Sequence, residues 1–140
     1  MAIQFFSADT KVPALSRKKL KSFILALFKR EGKTLSSLTY VFCSDEYLLN
    51  INRRFLNHDY YTDIITFDIS EKNKEINGDI YISIDRVKDN AKTLDQTYTI
   101  EMLRVIFHGA LHLCGYKDKS RSEQLEMRRR EDYYLRLFIK

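Results

Sequence analysis

The chain has 140 residues, 44% of them hydrophobic, with one proline, four glycines and a formal net charge of +5. That size and apolar fraction suit one globular domain over residues 1–140, able to bury roughly two-thirds of the surface its unfolded chain exposes. They argue against disorder, and the two cysteines, Cys43 and Cys114, are too far apart and too few for a secreted disulfide scaffold.

No apolar run approaches the roughly 20 residues needed to cross a membrane. The start "MAIQFF" is too short and too weakly basic for a signal peptide. The expectation is a soluble cytoplasmic protein with no membrane partner. The positive balance favours an anionic partner such as nucleic acid, or simply a solvated basic surface.

In chain order, "AIQFFS" reads as an edge strand. From Ser16, the residues Leu20, Phe23, Ile24, Leu27 and Phe28 follow helical spacing, with Ser16 as N-cap and Gly32 as the stop. "LSSLTYVFCS" reads as a strand, and Ser44 can cap a short helix through "DEYLLNINRRF". "DIITFDIS" (63–70) is a strand, "EKNKEING" a polar turn, and "GDIYISI" a second strand with Ile80, Ile82 and Ile84 on one face. The turn joins these two as an antiparallel hairpin. A polar helix follows over about 85–95. Thr99 can cap a longer helix through "IEMLRVIFHGALHLCG", apolar on most sides and therefore central and buried. "SRSE" at 120–123 is a capping box that opens the last helix. The fold class is α+β: a small mixed sheet packed with helices, the central buried helix carrying the candidate ligands.

Those ligands lie in "HGALHLCGYKDK", residues 108–119. His108 and His112, four apart, share a helix face with Cβ atoms about 5–6 Å apart. Gly115 falls where the helix should end and can take the left-handed turn that brings Asp118 back toward both imidazoles. Three protein ligands with an open fourth position are the usual catalytic zinc arrangement. The alternative is two core histidines satisfied by local hydrogen bonds. The glycine, the spaced carboxylate and the cost of unpaired imidazoles in an apolar helix weigh against it. The zinc-peptidase helix HExxH has a glutamate base directly after its first histidine; here that position is Gly109.

"HGALHLCGYKD" resembles the signature of the YbeY family of endoribonucleases, HGxLHLxGYDH. A second block agrees: "YTDIITF" (61–67) before "NGDIYIS" (77–83) resembles the family's "PTDVLSF" before a "GDI" strand. The similarity covers most of residues 46–135. The resemblance implies a metal-dependent, single-strand-specific endoribonuclease acting in rRNA processing, notably 16S rRNA 3′-end maturation, and in ribosome quality control. It implies one zinc ion per chain. The partners it implies are rRNA, ribosomal subunits, and an assembly GTPase or a small-subunit ribosomal protein.

The chain departs from that family at three places. Asp118 stands at the third metal histidine and Lys117 at the residue before it. Tyr61 replaces the proline before "TD". Leu56 replaces an arginine thought to matter for activity. Two neutral histidines, one aspartate and a divalent ion sum to about +1, so bound water should be less acidic than with three histidines. The oxygen ligand also makes manganese or iron more plausible.

Arg53, Arg54 and His58 are candidates to contact the scissile phosphate in place of the missing arginine. Asp63, beside Thr62, is a candidate to position water or a ligand histidine, or else merely ends the loop. Lys117, Lys119, Arg121, Arg128, Arg129 and Arg130 either attract a phosphodiester backbone or form a solvated helix surface. Cys114 reads as packing, and Tyr116 as packing in the turn in preference to stacking on a base. The rival functions are a ribosome-assembly factor with a structural metal and little turnover, and a metallopeptidase, against which Gly109 counts.

Overall fold

The computed structural model describes residues 2–72 and 74–140. The elements run β1 (Ile3–Ser7), α1 (Arg17–Arg30), β2 (Leu35–Cys43), α2 (Asp45–Leu56), β3 (Ile64–Asp68), β4 (Ile76–Ser83), α3 (Ile84–Thr93), α4 (Tyr98–Leu113) and α5 (Arg121–Ile139). The sheet order is β1-β2-β4-β3. β1 pairs parallel with β2 and β2 parallel with β4, while β3 and β4 form an antiparallel hairpin with Ile65 opposite Tyr81. The expected α+β class and mixed sheet are therefore present, with β1 on one edge and β3 on the other. The turn expected at 71–78 is shorter, since Ile76–Gly78 already belong to β4, and Asn73 lies outside the described residues.

Short-range signals set most boundaries. Ser44 Oγ accepts from Tyr47 N, capping α2. Ser120 and Glu123 form the reciprocal capping box of α5. Two expectations shift. α4 starts one turn-residue pair earlier than read, because Thr97 and not Thr99 caps it, its Oγ1 accepting from Ile100 N at 3.1 Å. Ile84 does not extend β4: Ser83 Oγ accepts from Arg86 N, and that cap converts the chain to helix. Ser16 takes the N-cap position of α1 without a side-chain hydrogen bond.

The sheet buries unequal faces. On one, Leu38, Tyr40, Phe42, Ile80 and Ile82 meet α1, α4 and α5 in the main core. On the other, Cys43 and Ile65 make a small cluster with Leu48 of α2. α4 lies at the centre of the main core, with Met102, Ile106, Phe107, Ala110 and Leu111 fully buried. Each large side chain buried this way contributes roughly 1.5–3 kcal/mol. Tyr40 Oη donates to the Ile106 carbonyl at 2.8 Å, tying the helix to the sheet. Gly109 makes the approach close: a Cβ there would lie 2.8 Å from Ile80 Cδ1 and 3.0 Å from Ile64 Cδ1.

Candidate metal centre and cleft

Most of α4 is buried, and one of its faces borders a cleft. Glu101, Arg104, His108 and His112, spaced three or four apart and so on one helix face, line a cleft of about 970 Å³. The opposite walls come from the end of α2, the loop into β3, and α5: Asn52, Leu56, His58, Tyr60, Thr62, Asp63, Lys119, Arg121, Leu125, Arg128 and Glu131 all face it.

Beyond α4, Gly115 has φ +110°, a conformation that side chains with a Cβ rarely adopt. Its N–H donates to the His112 carbonyl at 3.0 Å and the Tyr116 N–H to the Leu111 carbonyl at 3.1 Å. These are the paired hydrogen bonds of a Schellman turn. The turn has two effects on the site. It returns Asp118, and it lays the Tyr116 carbonyl 2.9 Å from His112 Nδ1.

His108 Nε2 and His112 Nε2 each lie 3.2 Å from the same atom, Asp118 Oδ2. The two imidazoles are perpendicular, 4.6 Å between centroids. These three residues form a group whose ligand atoms lie within 4.8 Å of one another, and they could hold a metal ion.

The far side of each ring is also engaged. Glu131, buried on α5, sets Oε2 2.6 Å from His108 Nδ1 and accepts from Arg104 Nη1 on Oε1 at 3.0 Å. Arg104 in turn pairs with Asp132 at 2.8 Å. In the neutral ring each Nδ1 can donate to the oxygen beside it, which leaves the Nε2 lone pair on the Asp118 side for a cation. Two imidazole nitrogens and a carboxylate oxygen are a donor set for a divalent transition metal, and that tautomer fits it.

Charge inside the cleft is strained by burial. Burial pushes the Asp63 carboxyl up against the opposing effect of His108, and the net position is above the usual carboxylate range. Asn90 Nδ2 donates to Asp63 Oδ2 at 3.2 Å. Glu101, 4% exposed, is likewise raised by burial, and its Oε1 has no hydrogen-bond partner in the protein. Burial lowers His108, but the hydrogen bond and charge of Glu131, with Asp118 and Asp63, hold it above its ordinary value.

Of the residues singled out from sequence, His108, His112, Asp118, Asp63 and His58 all face the cleft, as do Thr62, Lys119, Arg121 and Arg128. Arg54 does not. It sits with Tyr47, Asn50, Ile51 and Arg53 on another side of α2. The reason is helical phase: Asn52 and Leu56 point into the cleft, and Arg54 lies about 200° around the helix from Asn52. Arg53 pairs with Asp59. Arg130 is tied to Glu31, and Arg129 pairs with Glu126. Tyr116 donates to Glu31 at 2.8 Å, a packing role, and burial pushes the Cys114 thiol up to about 12. A side chain at position 109 would enter the sheet and not the cleft, so no peptidase base can act from there.

Glu131, Glu101 and Arg104 escaped the sequence reading. Glu101 and Arg104 share the phase of His108, a signal hidden by the apolar residues around them. Nothing local links Glu131 to His108.

The chain matches the family described as Endoribonuclease YbeY over residues 3–138. It is 52% identical over 135 residues to the Endoribonuclease YbeY of Cytophaga hutchinsonii, covering 96% of this chain and 94% of that one. It is 46% identical over 132 residues to that of Parabacteroides distasonis, covering 94% and 92%. A Thermotoga maritima protein of known solution structure superposes with a TM-score of 0.67 at 26% identity, over 97% of this chain and 88% of that one. Among the described residues no helix is long and apolar enough to cross a membrane.

Proposed function

The chain belongs to the endoribonuclease YbeY family and is a ribonuclease of rRNA processing, and from that premise we propose that it cuts single-stranded RNA at His108, His112 and Asp118. The observation that carries the reading is the approach of both Nε2 atoms to one Asp118 oxygen, 3.2 Å each, at the wall of an open cleft.

The proposed ion is zinc, one per chain, with manganese or iron the alternatives that a carboxylate ligand allows. Bound there, it supplies Lewis-acid charge to phosphoryl oxygens and acidifies water. Every other role falls to the chain. Asp63, made more basic by burial and steadied by Asn90, is placed to take a proton from attacking water. Lys119, Arg121 and Arg128 offer charge to the phosphates. His58 stands on the lip where the family arginine is replaced by Leu56. We assign no role to Arg54, which lies with Tyr47, Asn50, Ile51 and Arg53 on another side of α2.

Maturation of the 16S rRNA 3′ end, ribosome quality control, and contacts with ribosomal subunits and an assembly GTPase or a small-subunit protein are proposed from the family resemblance. So is a cytoplasmic site of action. A second reading, assembly factor with little turnover, draws on Leu56: that lip is apolar where the family carries a cation.

The test compares wild type with His112→Ala, purified alike without chelators, on single-stranded RNA, duplex RNA and an unfolded protein. The expected result is metal-dependent cleavage of single strands by wild type alone. Equal cleavage by both proteins refutes the catalytic assignment. Metal in wild type with no cleavage favours the assembly factor.

A further inference from the structure

We propose that the paired rings of Tyr60 and His58 form a nucleobase platform on one lip of the cleft, facing a phosphate-binding lip of Lys119, Arg121 and Arg128. The proposal rests on the RNA-hydrolase reading above and names how that site would take its substrate.

Tyr60 is 55% exposed although its ring is large and apolar. It lies on His58 with centroids 5.1 Å apart and the planes within 22°. Its hydroxyl is 3.0 Å from His58 Nδ1, so the two rings hold each other. The backbone beneath is fixed by one buried residue. Asn52, 1% exposed, accepts the His58 N–H on its backbone carbonyl at 3.1 Å and donates from side-chain Nδ2 to the Tyr60 carbonyl at 2.9 Å. The αL residue Asn57 turns the chain out of α2 just before this pair. The buried Asn52 side chain thus holds the backbone at Tyr60, whose ring stacks on His58. The adjacent Tyr61 differs: its hydroxyl is bound to Glu46 and its face is covered by Arg86, whose guanidinium carbon lies 5.2 Å from the ring centroid.

Both rings line the same cleft as His108, His112 and Asp118, with Leu56 adding apolar surface. The cleft's cations come from the turn and helix on the α5 side, Lys119, Arg121 and Arg128. Flat aromatic surface from the loop into β3 and positive charge from the α5 side of the same cleft match the two parts of a single nucleic-acid strand, its bases and its phosphates. Stacking on an aromatic face accepts any base, provided that base is free of a duplex stack. The platform therefore gives a physical basis for single-strand selectivity that needs no base-edge hydrogen bonds.

The chain contains no tryptophan, so Tyr60→Trp introduces a sole indole whose fluorescence reports stacking. Chelated protein, which cannot cleave, is titrated with a short adenine-rich RNA single strand, its duplex, and inorganic polyphosphate. The expected result is quenching by the single strand, weak quenching by the duplex and none by polyphosphate. Tyr60→Ala should bind the single strand about ten- to a hundredfold more weakly. It should keep wild-type polyphosphate affinity, metal content and melting temperature. Tyr60→Phe should bind within about threefold of wild type. Lys119→Glu should weaken single strand and polyphosphate together and flatten the salt dependence. Equal single-strand affinity in wild type and Tyr60→Ala, or quenching by polyphosphate, overturns the platform. Metal-dependent cleavage by that same Tyr60→Ala protein at the wild-type rate would leave the hydrolase reading standing. Failure of wild type to bind or cut any RNA overturns both.

Discussion

Glu131→Gln is a near-isosteric change at a buried position, and its effect can be worked out atom by atom. The carboxylate accepts twice, from His108 Nδ1 on Oε2 at 2.6 Å and from Arg104 Nη1 on Oε1 at 3.0 Å. An amide has one acceptor. If its oxygen faces Arg104, its NH₂ faces Nδ1 and forces the proton to Nε2, the atom directed at Asp118. If its oxygen faces His108, its NH₂ opposes the guanidinium. One charge-assisted hydrogen bond is lost either way, about 1.5–3 kcal/mol. Loss of a carboxylate behind a metal-ligating histidine typically costs, separately, 10–100-fold in metal affinity, roughly 1.4–2.7 kcal/mol. Arg104 keeps Asp132 at 2.8 Å, which limits damage to the fold.

The assay is competition for zinc or cobalt against a chelator of known affinity, with melting of metal-free protein as the control. The expected outcome is a metal Kd raised about 10–100-fold, together with a fall of several degrees in the melting temperature of the metal-free protein from the one lost hydrogen bond. Adding Glu131→Gln to His108→Ala should cost nothing further in metal affinity, because the carboxylate acts through that ring. An unchanged metal Kd in Glu131→Gln, or full additivity in the double variant, would refute the reasoning.

The remaining predictions concern the ligands, the turn and a remote carboxylate. Asp118→His should bind metal at least as tightly as wild type, while Asp118→Ala binds about tenfold or more weakly, by the same competition assay; the reverse order would remove Asp118 from the site. Gly115→Ala should destabilise the fold by about 1–3 kcal/mol in urea unfolding, because φ +110° must be held by a residue with a Cβ, and should weaken metal binding by disturbing the turn. Burial raises the Glu31 carboxyl, but hydrogen bonds from Tyr134, Arg130 and Tyr116 outweigh it and hold the group below its ordinary value of 4.5. A depressed carboxylate contributes stability above the unfolded value and loses it as pH falls through the folded one. The melting gap between wild type and Glu31→Gln should therefore be full at neutral pH and close only below pH 4.5; a gap that is constant with pH would contradict the network.

What the sequence by itself determined is what one turn of chain can decide. Ser44, Ser83 and Ser120 bond to backbone N–H groups within three residues. His108 and His112 share a face through helix pitch alone, and Gly115 releases its turn because it lacks a Cβ. The same range of interaction carried the hairpin of β3 and β4 and the central, buried standing of α4. Even here competition mattered: Thr97 outbid Thr99 as cap, and Ser83 ended β4 before Ile84, choices between near-equal local options.

What only the tertiary structure decided depends on how separate elements dock. Glu131 meets His108 across 23 residues of chain because α5 packs on α4 with that phase. Asn52 and not Arg54 faces the cleft because the small cluster of Cys43, Leu48 and Ile65 sets the roll of α2 on the sheet. Gly109 is required by the contact of α4 with Ile64 and Ile80, a constraint that no pattern within the helix records. Helix pitch and capping repeat wherever their residues occur, whereas the phase of one element on another is settled by the burial of many side chains together.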